Sequence, residues 1–270
     1  IECRINAEDP FRNFLPSTGR LVRFMPPAET MWQADTEHRY GVRVDTGVVD
    51  GGEIPMYYDS MIAKLIVHGK DRQDAIARMR EALNGFVIKG VQSNIPFQAA
   101  LLAHPSFVAG DFNTGFIAEH YAHGFSAADV PHADPDFLLA LAARLHMYYR
   151  NRAQGLQGQF WEGFKSLPGR EFTVCALGKE GQHQYVDVSL GEVQRDEPTR
   201  VVVRGAAGER VYELKLDRYL GQSRITGECN GQRFTAQMER GHTRNPLVTR
   251  VIHNGTQLDA VSFGAQLAGA

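Results

Sequence analysis

The sequence predicts an α+β chain in two parts: short strands plus helices first, then an antiparallel β-barrel of about eight strands wrapped around one long central helix. Three observations predict it. The near-continuous apolar run "MIAKLIVHG" is followed by an amphipathic helical stretch, so the first part mixes strand and helix. Further on, "DPDFLLALAARLHMYYRNRA" is apolar or small on nearly every side of a helix, and such a helix has to be buried all round. Eight short alternating segments follow with no helix between them, and closing such a meander removes its exposed edges.

In chain order, "IECRIN" reads as a strand whose period of two puts Glu2, Arg4 and Asn6 on one face and Ile1, Cys3 and Ile5 on the other. Residues 21–24 and 41–49 read as short strands, and residues 61–69 as a buried strand ended by glycine. In "KDRQDAIARMREALNGF", Ile76, Met79 and Leu83 recur at helical spacing, with Asp71 as N-cap and Gly85 as the stop. "SNIPFQAALLAHPSF" gives a shorter helix with Pro96 near its start and Pro105 closing it, and "TGFIAEHYAHGF" gives another. "SAADVPHADPD" has small residues, aspartates and prolines without periodicity, which sets domains at 1–124 and 136–270 with a linker at 125–135.

The second part opens with the apolar helix at Pro135, which over some 18 residues reaches roughly 27 Å, enough for the axis of a small domain. The strand segments are "EFTVCALG", "QYVDVSL", "TRVVVRG", "RVYELKLD", "SRITGEC", "QRFTAQME", "LVTRVIH" and "QLDAVSF". Asn230-Gly231 and Asn254-Gly255 mark tight hairpin turns. Between helix and strands, "NRAQGLQGQFWEGFKSLPG" carries Phe160, Trp161 and Phe164, an aromatic group suited to a docking interface or to the barrel core.

Composition narrows the function classes. A net charge of −2, from 29 basic and 31 acidic residues, gives no basic field for a nucleic acid partner. Cys3, Cys175 and Cys229 lie far apart and are odd in number, so they form neither a disulfide framework nor a zinc ribbon. No apolar run of about 18 residues is present, which argues against a membrane partner. His120 and His123, with Glu119, have helical spacing but no matching third cluster, and the adjacent Glu8 and Asp9 point opposite ways in a strand, so no metal site is expected.

From pattern alone, Arg4 is either part of a solvated face or a guanidinium placed to stabilise an oxyanion. Resemblance adds what pattern leaves open. "IECRINAEDP" with "FLPSTGRL", then "YGVRVDTGVVDGGEIPMYYDSMIAKLIVHGKDRQDAIARMREAL", then "GVQSNIPF" resemble, in this order, the C-terminal portion of biotin carboxylase in biotin-dependent carboxylases, over residues 1–124. The helix and barrel resemble the domain that joins biotin carboxylase to the carboxyltransferase β-subunit in acyl-CoA carboxylase α-subunits. Within that family, residues 42–72 look most like the propionyl-CoA branch, with the 3-methylcrotonyl-CoA branch close behind.

The resemblance implies ATP-dependent carboxylation of biotin with bicarbonate, a ligase reaction whose carboxyl group then passes to an acyl-CoA on the β-subunit. It assigns Arg4 to the ureido oxygen of biotin and to bicarbonate. Phe14 matches a wall of the biotin pocket, with core packing as the alternative. Asp59 matches an active-site support or subunit contact, with a strand-end cap as the alternative, and Arg43 matches a subunit contact. ATP and magnesium are implied to be held mainly by an ATP-grasp part, and biotin to be carried on a carrier domain of the same subunit. The motifs of neither occur in this sequence, so the expectation is a fragment, inactive alone, of a hetero-oligomer in a bacterial cytoplasm or a mitochondrial matrix. A docking module without catalysis is the contrasting expectation for the isolated chain.

Overall fold

The structure, a computed structural model, describes residues 1–30, 40–56, 59–154, 170–178, 181–193, 197–217, 221–241 and 245–264. The chain forms two compact units, one of residues 1–132 with Asn254–Thr256, the other of residues 133–253 and 257–270. The stretch expected as a linker includes Phe125 and Val130, both buried in the first unit beside Phe97 and Ala100.

The first unit is built on a three-stranded antiparallel sheet. Strand β1 (Glu2–Asn6) forms one edge, β2 (Gly41–Thr46) the other, and β3 (Met61–His68) runs between them. The apolar run of β3 follows from that central position, with Ile62, Ala63, Leu65 and Val67 all buried. In β1 the alternation holds: Cys3 and Ile5 enter the core while Glu2 and Arg4 stay exposed. Helix α1 (Arg72–Asn84) starts where the Asp71 carboxylate accepts the Asp74 N–H at 2.8 Å and buries Ile76, Met79 and Leu83. Gly69, at the β3–α1 turn, has to be glycine, because a Cβ there would lie 2.4 Å from the backbone nitrogen of Ala75.

Helix α2 (Ile95–Ala103) is followed at once by α3 (Pro105–Ala109), then by α4 (Phe116–His120). Pro105, expected only to close α2, also opens α3. Proline disfavours helical backbone in the residue before it and is pre-organised for the first helical position, so one residue performs both tasks.

The second unit is a closed antiparallel barrel around α5 (Pro135–Gln154). Its strands are β4 (Glu171–Ala176), β5 (Gln184–Leu190), β6 (Thr199–Gly205), β7 (Gly208–Leu216), β8 (Arg224–Cys229), β9 (Gln232–Arg240), β10 (Thr249–His253) and β11 (Thr256–Gly264). Alternate side chains from the wall, among them Val174, Val188, Val203, Leu214, Ile225 and Ala236, meet helix residues Phe137–Leu145 in one core. The β8–β9 turn takes φ of 50° at Asn230 and 78° at Gly231, the left-handed pair that the Asn-Gly sequence favours. At the entry to α5, the Asp134 carboxylate accepts from Tyr212 Oη at 2.7 Å and Arg210 Nη1 at 2.9 Å, fixing the helix to the barrel wall. The aromatic group Phe160, Trp161 and Phe164 lies outside the described residues.

His146 of α5 gives the barrel a pH dependence. Burial, with Arg150 and Arg240 adding repulsion, pushes its imidazole from the usual 6.5 down to about 4, while Phe172 packs edge-on at 5.4 Å. The unfolded chain therefore takes up a proton that the folded barrel refuses. The contribution of this group to stability is complete above pH 6.5 and is lost as pH drops from 6.5 towards 4. Urea titrations at steps across that window should show the loss, and His146→Leu should flatten it; a slope unchanged by the substitution would assign it to other groups.

Candidate active-site face

The candidate site lies on the outward face of the first unit's sheet, where period two gathers polar side chains. Register places Arg4 of β1, Lys64 of β3 and Asp45 of β2 in one cross-strand row, with Glu2, Ile66 and Arg43 in the next. The Arg4 side chain is 68% exposed, and Glu2 Oε1 lies 3.5 Å from its Nε. Arg43 forms a paired hydrogen bond with Asp45 at 2.9 and 2.7 Å, which holds the Asp45 carboxyl below the usual carboxylate range. On the opposite side of β1, burial pushes the Cys3 thiol up to about 12, so it supplies no thiolate at neutral pH.

The main chain around Arg4 is held more firmly than its side chain. Asn94, just before α2, lies along the edge of β1 that no strand occupies among the described residues. Its Oδ1 accepts the Asn6 N–H at 2.9 Å, its own N–H donates to Asn6 O at 3.1 Å, and its Nδ2 donates to Arg4 O at 3.0 Å. Gln98 Nε2, one turn along α2, donates to the same Arg4 carbonyl at 3.3 Å. Asn6 Nδ2 and Ser60 Oγ both donate to Glu8 Oε1, while Asp9 caps the next short turn by accepting the Phe11 N–H at 3.0 Å.

The other expected residues fall as follows. Phe14, at φ of 57°, sets its ring edge-on to Phe97 with centroids 5.0 Å apart, in a group that includes Tyr121 and Phe125. Helix α2 therefore connects the Phe14 loop, through Phe97, to the Arg4 carbonyl, through Gln98. Asp59 accepts the Met61 N–H at 3.1 Å at the start of β3. The His120 ring packs tilted against His104, with centroids 4.3 Å apart. Among the described residues no three His, Cys, Asp or Glu side chains gather to hold a metal ion. Sequence reasoning missed Asn94, Gln98 and Lys64; only the β1–β3 pairing reveals Lys64, and Asn94 reads in sequence as an ordinary helix cap.

Residues 2–119 match the family described as biotin carboxylase C-terminal domain, and residues 138–266 the one described as propionyl-coenzyme A carboxylase BT domain. The chain thus carries, in this order, a segment similar to a biotin carboxylase C-terminal domain and a segment similar to a propionyl-coenzyme A carboxylase BT domain. Among individual proteins, it is 43% identical over 190 residues to the propionyl-CoA carboxylase alpha chain of Ruegeria pomeroyi, covering 67% of this chain and 28% of that one. It is 40% identical over 158 residues to the human mitochondrial propionyl-CoA carboxylase alpha chain, covering 58% and 20%. Biotin carboxylase 1 of Bacillus subtilis is 49% identical over 124 residues, covering 46% and 25%. The chain spans about a quarter of the length of these relatives.

Proposed function

We propose that this chain is the part of a propionyl-CoA carboxylase α-subunit that contributes Arg4 to ATP-dependent carboxylation of biotin and docks the subunit to its carboxyltransferase partner. One observation carries the catalytic half: in a unit of the biotin carboxylase C-terminal family, an exposed guanidinium stands on a polar sheet face beside Lys64 while its main chain is pinned from behind. That donor set suits an oxygen that gains negative charge. Arg4 and Lys64 place two cations on this face, and the guanidinium fork fits bicarbonate or a ureido oxygen.

Biotin, when bound, supplies the urea nitrogen that accepts the carboxyl group. Arg4 would hold the ureido oxygen and favour negative charge there more in the transition state than in the ground state, which is the condition for catalysis. Phe14 would cover a ring face at the edge of the same site. Asp59 and Arg43 would support the sheet or meet a neighbouring subunit. ATP and magnesium fall to an ATP-grasp part, and biotin to a carrier domain of the same subunit.

The match of residues 138–266, the closed barrel with most of α5, to the BT-domain family supports a docking role toward the β-subunit. Acyl specificity on this reading resides in that partner, since nothing here needs to fit the acyl chain, and 3-methylcrotonyl-CoA is the competing substrate. Bacterial and mitochondrial relatives point to the cytoplasm or the matrix, and no helix among the described residues is long and apolar enough to cross a membrane.

The test removes residues 133–270 from an α-subunit that carries this segment with its ATP-grasp part. Carboxylation of free biotin should survive and co-purification with the β-subunit should vanish. A truncated subunit that still brings down the β-subunit would place docking elsewhere, and one that loses carboxylation would give the barrel a catalytic share.

A further inference from the structure

Asn94 occupies the cap position of α2, yet its side chain makes no cap hydrogen bond to that helix. A cap asparagine ordinarily satisfies an orphan N–H of its own helix and contributes about 1 kcal/mol by doing so. Here the amide is turned the other way: Oδ1 takes the Asn6 N–H, Nδ2 reaches Arg4 O, and the residue is 94% buried, with 6% of its surface exposed. Together with its backbone N–H on Asn6 O, Asn94 reproduces the hydrogen bonding of one residue of a neighbouring strand on the open edge of β1.

That arrangement bears on Arg4 in particular. Its guanidinium is largely exposed, with one long contact among the described residues, to Glu2 at 3.5 Å, so side-chain packing does little to set where the charge stands. Its carbonyl, by contrast, accepts from two amides of the α2 region, Asn94 at 3.0 Å and Gln98 at 3.3 Å. A group that stabilises charge on a reacting oxygen has to be held to within about 0.5 Å, and a misplacement of about 1 Å can cost a hundredfold in rate.

We propose that Asn94, assisted by Gln98, is a positioning residue for Arg4: by standing in for a missing strand it fixes the β1 backbone from which the guanidinium projects. The proposal rests on the reading of Arg4 given above and adds a residue that touches neither biotin nor bicarbonate.

The test is a mutant cycle in an α-subunit carrying this segment with its ATP-grasp part, read as ATP-dependent carboxylation of free biotin. Asn94→Asp keeps the acceptor for Asn6 N–H and removes the donor to Arg4 O. It should lower kcat about ten- to a hundredfold, leave KM for ATP unchanged, and raise the ATP hydrolysed per biotin carboxylated. In an Arg4→Ala background the same substitution should cost less than about twofold, because there is no longer a guanidinium to place. Gln98→Met, on the helix surface, should show the same pattern at a few-fold level and supplies the cycle if Asn94→Asp fails to fold.

A loss of equal size in both backgrounds would make Asn94 a residue of general stability and overturn the proposal, as would a folded Asn94→Asp enzyme with kcat within twofold of the parent. If Arg4→Ala alone leaves carboxylation intact, it is the reading of Arg4 that falls, and the positioning role falls with it.

Discussion

On the proposed reading, Arg4→Ala in an α-subunit carrying this segment should lower kcat for carboxylation of free biotin about 10²–10³-fold, the loss expected when one preorganised donor to a developing oxyanion is removed. The loss falls on kcat because the interaction strengthens as charge builds on oxygen; a purely ground-state contact would raise KM instead. Folding should be nearly untouched, since the side chain is 68% exposed and its salt bridge to Glu2 is a long 3.5 Å surface contact. Arg4→Lys restores little. A lysine carries the charge but not the planar fork, and its shorter set of donors cannot hold a ureido oxygen and bicarbonate in one plane. Matched measurements of biotin carboxylation and bicarbonate-dependent ATP hydrolysis check both variants, and an Arg4→Ala enzyme with full, coupled turnover would remove Arg4 from the site.

The legible part of this site was its face and the illegible part its support. Glu2, Arg4 and Asn6 fall on one side of β1 by the two-residue period of any strand, and the apolar Cys3 and Ile5 decide which side meets water. Asn94 is 88 residues from Asn6, and its link to β1 exists only once the sheet has ended at that edge. Its local context, a polar residue before Ile95-Pro96, gives the same signal as a routine cap. Lys64 was hidden for another reason: within a run read as buried strand, its place opposite Arg4 depends on pairing register, which a single strand does not contain.

The barrel was more legible because each of its signals is local. The segments 184–190 and 199–205 coincide with strands β5 and β6, and alternation alone assigns Val186, Val188, Val201 and Val203 to the interior. Residues 125–132 were harder. Phe125 and Val130 are isolated apolar residues among small and polar ones, and what buries them is an aromatic group drawn from residues 14, 97 and 121, not any period of their own.

The barrel's dependence on its helix gives the largest stability effect expected in the chain. Leu141 and Leu145, one turn apart on α5, are both fully buried, and the wall presents Val174, Val188, Val203 and Leu214 to the same core. Alanines 140, 142 and 143 fill other positions of the helix, so buried bulk on α5 alternates with small residues. Leu145→Ala should cost about 2–5 kcal/mol, the upper part of that range applying because a closed barrel cannot collapse onto the space left behind. Against a total stability of about 5–15 kcal/mol for an ordinary domain, this brings the second unit close to unfolding at physiological temperature. Ala143→Leu should destabilise by about 1–3 kcal/mol for the opposite reason, since extra methyl groups would press on a wall that hydrogen bonds hold at fixed circumference. Calorimetry of the chain should show one transition shifted down in both variants, and, on the proposed docking role, binding to the β-subunit should fail at that lowered temperature. A Leu145→Ala chain that lost less than about 1 kcal/mol would contradict the cavity expected in a packed core, because the surrounding strands would then be stable without the axis they enclose.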